Sequence, residues 1–94
     1  MHAPLTLHAR ARARMQQRGI SPATVEALLD FGREVHVDRG CDLVFLDKPA
    51  RARLAKANPA AAAEMERISR SYAIVGSDGT VITVGHRYRR IPRG

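Results

Sequence analysis

Hydrophobic and polar positions along the chain follow two periodicities, and their order predicts the architecture. From Leu5 to Arg18, Leu7, Ala11 and Met15 recur every four residues, the spacing of one buried helical stripe, with Thr6 placed to cap it. Arg10, Arg14 and Arg18 lie on a second stripe, His8 and Arg12 on a third, and Gly19 ends the helix. The apolar stripe is thin, so this helix must lie against something larger. Ile20-Ser21-Pro22 then opens a second helix. Ser21 has the hydroxyl of an N-cap, Pro22 suits the first helical position, and Ile20 and Val25 have the spacing of a hydrophobic staple. Val25, Leu28 and Leu29 face the core in this scheme, and Gly32 closes the helix.

The period then changes to two. Glu34-Val35-His36-Val37-Asp38 alternates as a half-buried strand with His36 toward solvent, Arg39-Gly40 makes a turn, and Asp42 to Leu46 returns. Leu43 to Leu46 is apolar on both faces, which predicts a central strand. Asp47 and Pro49 begin a short helix containing Leu54, and Pro59 stops it at Asn58. Asn58 and Pro59 are placed to start the next helix, where Ala61, Met65 and Ile68 form a buried stripe and Glu66 pairs with Arg70. Tyr72 to Gly76 is a third strand, Ser77-Asp78-Gly79 a tight turn, and Val81 to His86 a fourth strand that closes an antiparallel hairpin. There is no repeat and no linker, so residues 1–94 form one domain with a basic tail from about residue 87. The predicted fold class is α+β: two N-terminal helices packed on a four-stranded, mainly antiparallel sheet, with a helical insertion between two β-hairpins.

Composition narrows the chemistry. With 45% apolar but only 4% aromatic residues, the core must be aliphatic and alanine-rich. The single cysteine, Cys41, excludes an internal disulfide, and no Cys or His pair has zinc-site spacing, so neither metal nor cofactor is expected. No apolar run is long enough for a membrane span and the N-terminus lacks the order of a secretory signal, which fits a cytoplasmic protein with no membrane partner.

The net charge of +7 is confined to the two ends. Residues 1–18 hold Arg10, Arg12, Arg14 and Arg18 with no acid, and residues 85–94 hold Arg87, Arg89, Arg90 and Arg93 with no acid. Residues 19–84 carry eight bases against nine acids. Fourteen of the sixteen bases are Arg, whose planar fork pairs with phosphate. A polyanion such as RNA, or an acidic partner protein, is therefore the expected partner.

The last strand supplies the candidate chemistry. Metal-free RNA cleavage needs a base for the 2′-OH, an acid for the leaving oxygen and cations on the phosphorane. Histidine suits the first two roles and arginine the third. His86 and Arg87, with His8 and an arginine of the first helix, supply all three if that helix neighbours the last strand. Tyr88 can stack on a base, and Arg89 and Arg90 can hold phosphates. Each also has an ordinary reading: His8 as a cap, the helix arginines as a solvated face, Thr83 as a good strand former, His86 as an exposed strand end. Strand parity places Ile82, Val84, His86 and Tyr88 on one face and Val81, Thr83, Gly85 and Arg87 on the other. His86 and Thr83 share a site only if a bulge at Gly85 shifts the register.

His8-Ala9-Arg10 followed by Arg14-Met15-Gln16-Gln17-Arg18-Gly19-Ile20-Ser21, with Ile82-Thr83-Val84 in a last strand, resembles the small bacterial family called domain of unknown function 4258. That family is grouped with RelE-like and barnase-like metal-independent ribonuclease toxins. The resemblance covers roughly residues 5–46 and 71–88, and the helical stretch 48–69 is longer than the family's. It implies a helix–helix–sheet protein with functional positions at His8, Arg14, Arg18 and Thr83; His86 and Arg87 are added on chemical grounds. The function it implies is a small RNA-directed protein, a metal-independent ribonuclease of a toxin module. The alternatives are a non-catalytic nucleic-acid-binding module that uses Arg10, Arg14, Arg18, Tyr88, Arg89 and Arg90 for binding alone, and an interaction protein whose basic ends dock an acidic, antitoxin-like partner.

Overall fold

Four strands pair antiparallel in chain order in the computed structural model, which describes residues 6–87. The elements are α1 (Ala9–Arg18), α2 (Pro22–Phe31), β1 (Arg33–Asp38), β2 (Cys41–Phe45), α3 (Lys48–Ala57), a 3-10 segment (Pro59–Glu64), α4 (Met65–Ser69), β3 (Ser71–Val75) and β4 (Val81–His86). This is the α+β arrangement that the periodicities predict, with α3, the 3-10 segment and α4 inserted between the two hairpins. Among the described residues no helix is long and apolar enough to cross a membrane.

The best-signalled elements form for the reasons their sequences suggest. The Ser21 hydroxyl accepts from the Thr24 N–H at 3.2 Å with Pro22 in the first turn, and Asp47 accepts from the Ala50 N–H at 2.9 Å to start α3. Arg39 and Gly40 both have positive φ between the paired residues Asp38 and Cys41, as a two-residue hairpin turn requires. The exposed His36 ring lies 3.3 Å from Asp42 across that hairpin.

Two boundaries differ from the sequence expectation, whereas Gly32 ends α2 where the sequence places its end. Helix α1 begins at Ala9 rather than Leu5, because Thr6 and Leu7 are drawn out along β4. The Val81 N–H donates to the Thr6 carbonyl and the His8 N–H to the Val81 carbonyl, each at 2.9 Å, in a parallel bridge. His8, not Thr6, is the cap, its Nδ1 accepting from the Arg10 N–H at 3.1 Å. After α3, Asn58 makes no side-chain cap and none of residues 59–64 is buried, so nothing enforces an α pitch and the segment winds as a 3-10 turn. Gly32 closes α2 in an extended rather than left-handed conformation, for a packing reason: a Cβ there meets the Leu28 carbonyl at 2.4 Å and Val44 Cγ1 at 2.7 Å.

The sheet has two unlike faces. Ala11, Met15, Val25, Leu28, Leu54 and Ile68 from the helices pack with Val44, Ala73, Val81 and Val84 in one core. The pairings Val44–Ala73–Val84 and Ser71–His86 place these residues, and His86, on the helix-covered face. Parity alone puts Val81 with Thr83, but a bulge opposite Val75 gives β4 one extra residue and returns Val81 to the core face. The irregularity thus lies at the start of β4, not at Gly85. Thr83 and His86 therefore face opposite sides. On Thr83's side the row Arg33–Phe45–Tyr72–Gly85 crosses all four strands, with Leu43 and Ile74 beside it.

Candidate functional site

Helix α1 runs alongside β4 and in the same direction, because the Leu7–Val81 bridge that precedes it is parallel. Helix α1 and the described end of β4 are therefore neighbours in space, but the bridge also fixes which residues meet. His8 sits at the Val81 end and Arg18 at the Gly85–His86 end. A ten-residue helix spans about 15 Å and a six-residue strand about 16 Å between first and last Cα, so His8 and His86 lie at opposite ends of the pair and share no site. Exposed Arg10 stays at the His8 end, and half-buried Arg14 lies one turn before Arg18.

At the His86 end an open cleft of about 930 Å³ separates the end of α1 from the 3-10 segment and α4. Arg18, Arg67, Arg70, His86 and Arg87 line it together with Glu64 and Glu66. Glu66 pairs with Arg70, and Glu64 lies 3.6 Å from Arg67, so each acid is matched by a cation on its own helical turn. Arg18 and His86 make no hydrogen bond or ion pair among the described residues. The cleft is therefore cationic because of Arg18 and Arg87, with an available imidazole beside them.

Arg87 is held differently from the other arginines. Its backbone N–H donates to the Arg70 carbonyl at 2.6 Å, Nε to the Ser69 carbonyl at 2.7 Å, and Nη2 to the Leu46 carbonyl at 3.1 Å. The guanidinium also lies 5.2 Å above the centre of the buried Phe45 ring. Burial, followed by the nearby positive charge of Arg51, lowers its pKa, and Asp47 partly offsets this. Two carbonyls accept from its guanidinium without cancelling its charge. Arg87 thus adds a fixed positive potential, while the direction of its fork is already set by the protein.

Thr83 lies on the opposite face with Tyr72 and Gly85. Thr83, assigned from the resemblance, and His86, assigned from chemistry, are accordingly divided between the two sides of the sheet, and Arg18 reaches both. Its Nη1 comes within 2.8 Å of where a Gly85 Cβ would stand, and so does the Tyr72 hydroxyl. Tyr88, Arg89 and Arg90 lie outside the described residues. Sequence reasoning missed Arg67, Arg70 and Tyr72. Pairing β3 with β4 directly across the Ser77-Asp78-Gly79 turn sets Tyr72 opposite Val84, and only the bulge in β4 moves it opposite Gly85. Among the described residues, no three His, Cys, Asp or Glu side chains converge as a metal-ligand group. No protein-family model, curated protein or solved structure matches this chain.

Proposed function

We propose that the protein is a small RNA-directed protein of RelE-like type, which holds a phosphate backbone in the Arg18–Arg87 cleft and cuts it without a metal, as a toxin-module ribonuclease does. The observation that supports this most is the company His86 keeps: a half-buried imidazole without a partner among the described residues, in one cleft with two arginines that form no ion pair among those residues. In this chemistry a group in the cleft takes the 2′-OH proton while that oxygen bonds to phosphorus. The bond to the 5′-oxygen then breaks, and that oxygen takes up a proton. Imidazole can serve at either step, and the cleft carboxylates Glu64 and Glu66 can serve at the first. Arg18, whose guanidinium is not committed to an acceptor among the described residues, can follow charge as it develops on the phosphorane.

A second reading, binding without catalysis, is favoured by the state of Arg87. A cation whose fork is occupied by Ser69 and Leu46 carbonyls suits long-range attraction better than transition-state contact.

One assay separates them: a labelled RNA incubated in EDTA, with both cleavage and retention measured. His86→Ala is expected to lower cleavage about a hundredfold or more and to leave retention nearly unchanged, because the arginines supply the phosphate contacts. His8→Ala should change neither, since His8 caps α1 at the far end of β4. Cleavage abolished by chelator would overturn the metal-free mechanism. Retention without cleavage under any condition would leave the binding module, and neither retention nor cleavage would leave a docking surface for an acidic protein. Retention should also weaken with salt, by about 0.7 log units per decade of salt for each phosphate neutralised on a single strand.

A further inference from the structure

The face of the sheet turned away from the helices carries a second arrangement that the cleft does not use. Leu43, Phe45, Tyr72, Ile74 and Thr83 share that face, and none of them belongs to the helix–sheet core. Within it, one row across the sheet reads Arg33, Phe45, Tyr72, Gly85. Phe45 is sealed under Arg87, so Tyr72 is the ring in this row that retains exposed surface. It lies over Gly85, with Cε2 2.9 Å and the hydroxyl 2.8 Å from a notional Cβ.

Arg18 Nη1 lies 2.8 Å from that same point, so phenol and guanidinium both occupy the space over one glycine. Any side chain at position 85 would push them apart. At the other end of the row, Arg33 contributes an Nε that is buried without a hydrogen-bond partner, although its Nη1 lies 3.7 Å from Asp47.

We infer that Tyr72 and Arg18 form a binding site for one unpaired nucleotide, with the base stacked on the phenol ring and its phosphate on the guanidinium. Arg18 lines the cleft and also reaches this face, so a single strand can lay its backbone across the cleft and turn one base over the edge of β4 onto Tyr72. A duplex cannot do this, because its bases are held in the stack. The ligand is therefore single-stranded RNA. This inference rests on the proposed RNA-directed function and adds the strandedness of the substrate and the place of one base.

The probe is a short fluorescein-labelled oligoadenylate with 2′-O-methyl groups, which blocks cleavage, compared with the same strand annealed to its complement. Tyr72→Leu should bind the single strand about tenfold more weakly, the scale of one lost base–aromatic stack, and the duplex as wild type does. Tyr72→Phe, which keeps the ring, should bind the single strand within about twofold of wild type, and Arg18→Ala should weaken both ligands. The chain has no Trp and two Tyr, so in a Tyr88→Phe background Tyr72 is the only strong emitter. Its fluorescence should be quenched as single strand is added, and unaffected by duplex. Single-strand binding that survives Tyr72→Leu unchanged while Arg18→Ala weakens it would overturn the stacking site and leave the cleft reading standing. Equal loss on both ligands for Tyr72→Leu would assign Tyr72 a purely structural role and also overturn it. Wild type that retains neither ligand would sink the RNA-directed reading itself.

Discussion

Arg87→Ala is expected to lower the folding free energy by about 2–3 kcal/mol, a large part of the ~5–15 kcal/mol that a small domain possesses. The side chain closes the molecule at a point where three segments meet. It bonds the Ser69 carbonyl before β3 and the Leu46 carbonyl after β2, while its backbone is tied to Arg70. A hydrogen bond from a charged donor contributes about 1.5–3 kcal/mol when buried, and the contact over Phe45 adds about 0.5–1 kcal/mol. The total is discounted because these groups are only partly buried. Truncation would also uncover Phe45, which Arg87 helps to keep 2% exposed. Arg87→Lys should recover less than half of the loss, since one ammonium cannot span both carbonyls and lie flat on the ring. Arg18→Ala, since Arg18 has no such partners among the described residues, should unfold close to wild type. Urea unfolding of the four proteins measures this, and an Arg87→Ala midpoint equal to wild type would remove Arg87 from the scaffold. The result also governs how RNA data are read. Cleavage lost in Arg87→Ala implicates the arginine in chemistry only at temperatures where that variant remains folded, so Arg87→Lys, which keeps the charge, is the cleaner comparison.

Why the sequence leaves Arg87's role hidden is instructive. Its two side-chain acceptors are carbonyls 18 and 41 residues away, and a backbone carbonyl has no sequence signature. Local signals were readable because both partners lie within a few residues: Ser21 with Thr24, Asp47 with Ala50, Arg39-Gly40 between paired strands. The start of α1 was not, since Thr6 and Leu7 suit a first helical turn until Val81 offers them backbone bonds. The β4 bulge was missed for a related reason. Val81, Thr83 and Gly85 alternate correctly, and only burial of Val81 against the helices exposes the extra residue. The cleft was half legible. Arg18, His86 and Arg87 stand out in the basic ends, but Arg67 and Arg70 sit in a stretch whose charge averages to nearly zero along the chain. Folding sorts charges by position in space, and the average along the chain does not see that.

Two glycines test scaffold and site separately. Gly32→Ala is expected to destabilise the protein by about 3 kcal/mol, at the upper end of what overpacking costs. The added methyl carbon would stand 2.4 Å from the Leu28 carbonyl oxygen, 2.7 Å from Val44 Cγ1 and 3.1 Å from the Phe45 carbonyl oxygen. Two of these three atoms are backbone, one at the end of α2 and one in the central strand β2. Neither can turn aside, so helix and sheet must separate where the core begins. Gly85→Ala meets distances nearly as short, 2.8 Å to Arg18 Nη1 and to the Tyr72 hydroxyl and 2.9 Å to Tyr72 Cε2, but all the obstructing atoms belong to side chains. These can swing away, and the methyl then occupies the point where they met. The expected cost is therefore smaller, about 1 kcal/mol, while single-stranded RNA binding should fall about as far as in Tyr72→Leu. Thermal unfolding and oligoadenylate titration of both variants give the result directly. Gly32→Ala should melt far below wild type, and Gly85→Ala should melt near it while losing the nucleotide. A Gly85→Ala protein that is stable and binds the single strand at full affinity would show that no base needs the Tyr72–Arg18 pair.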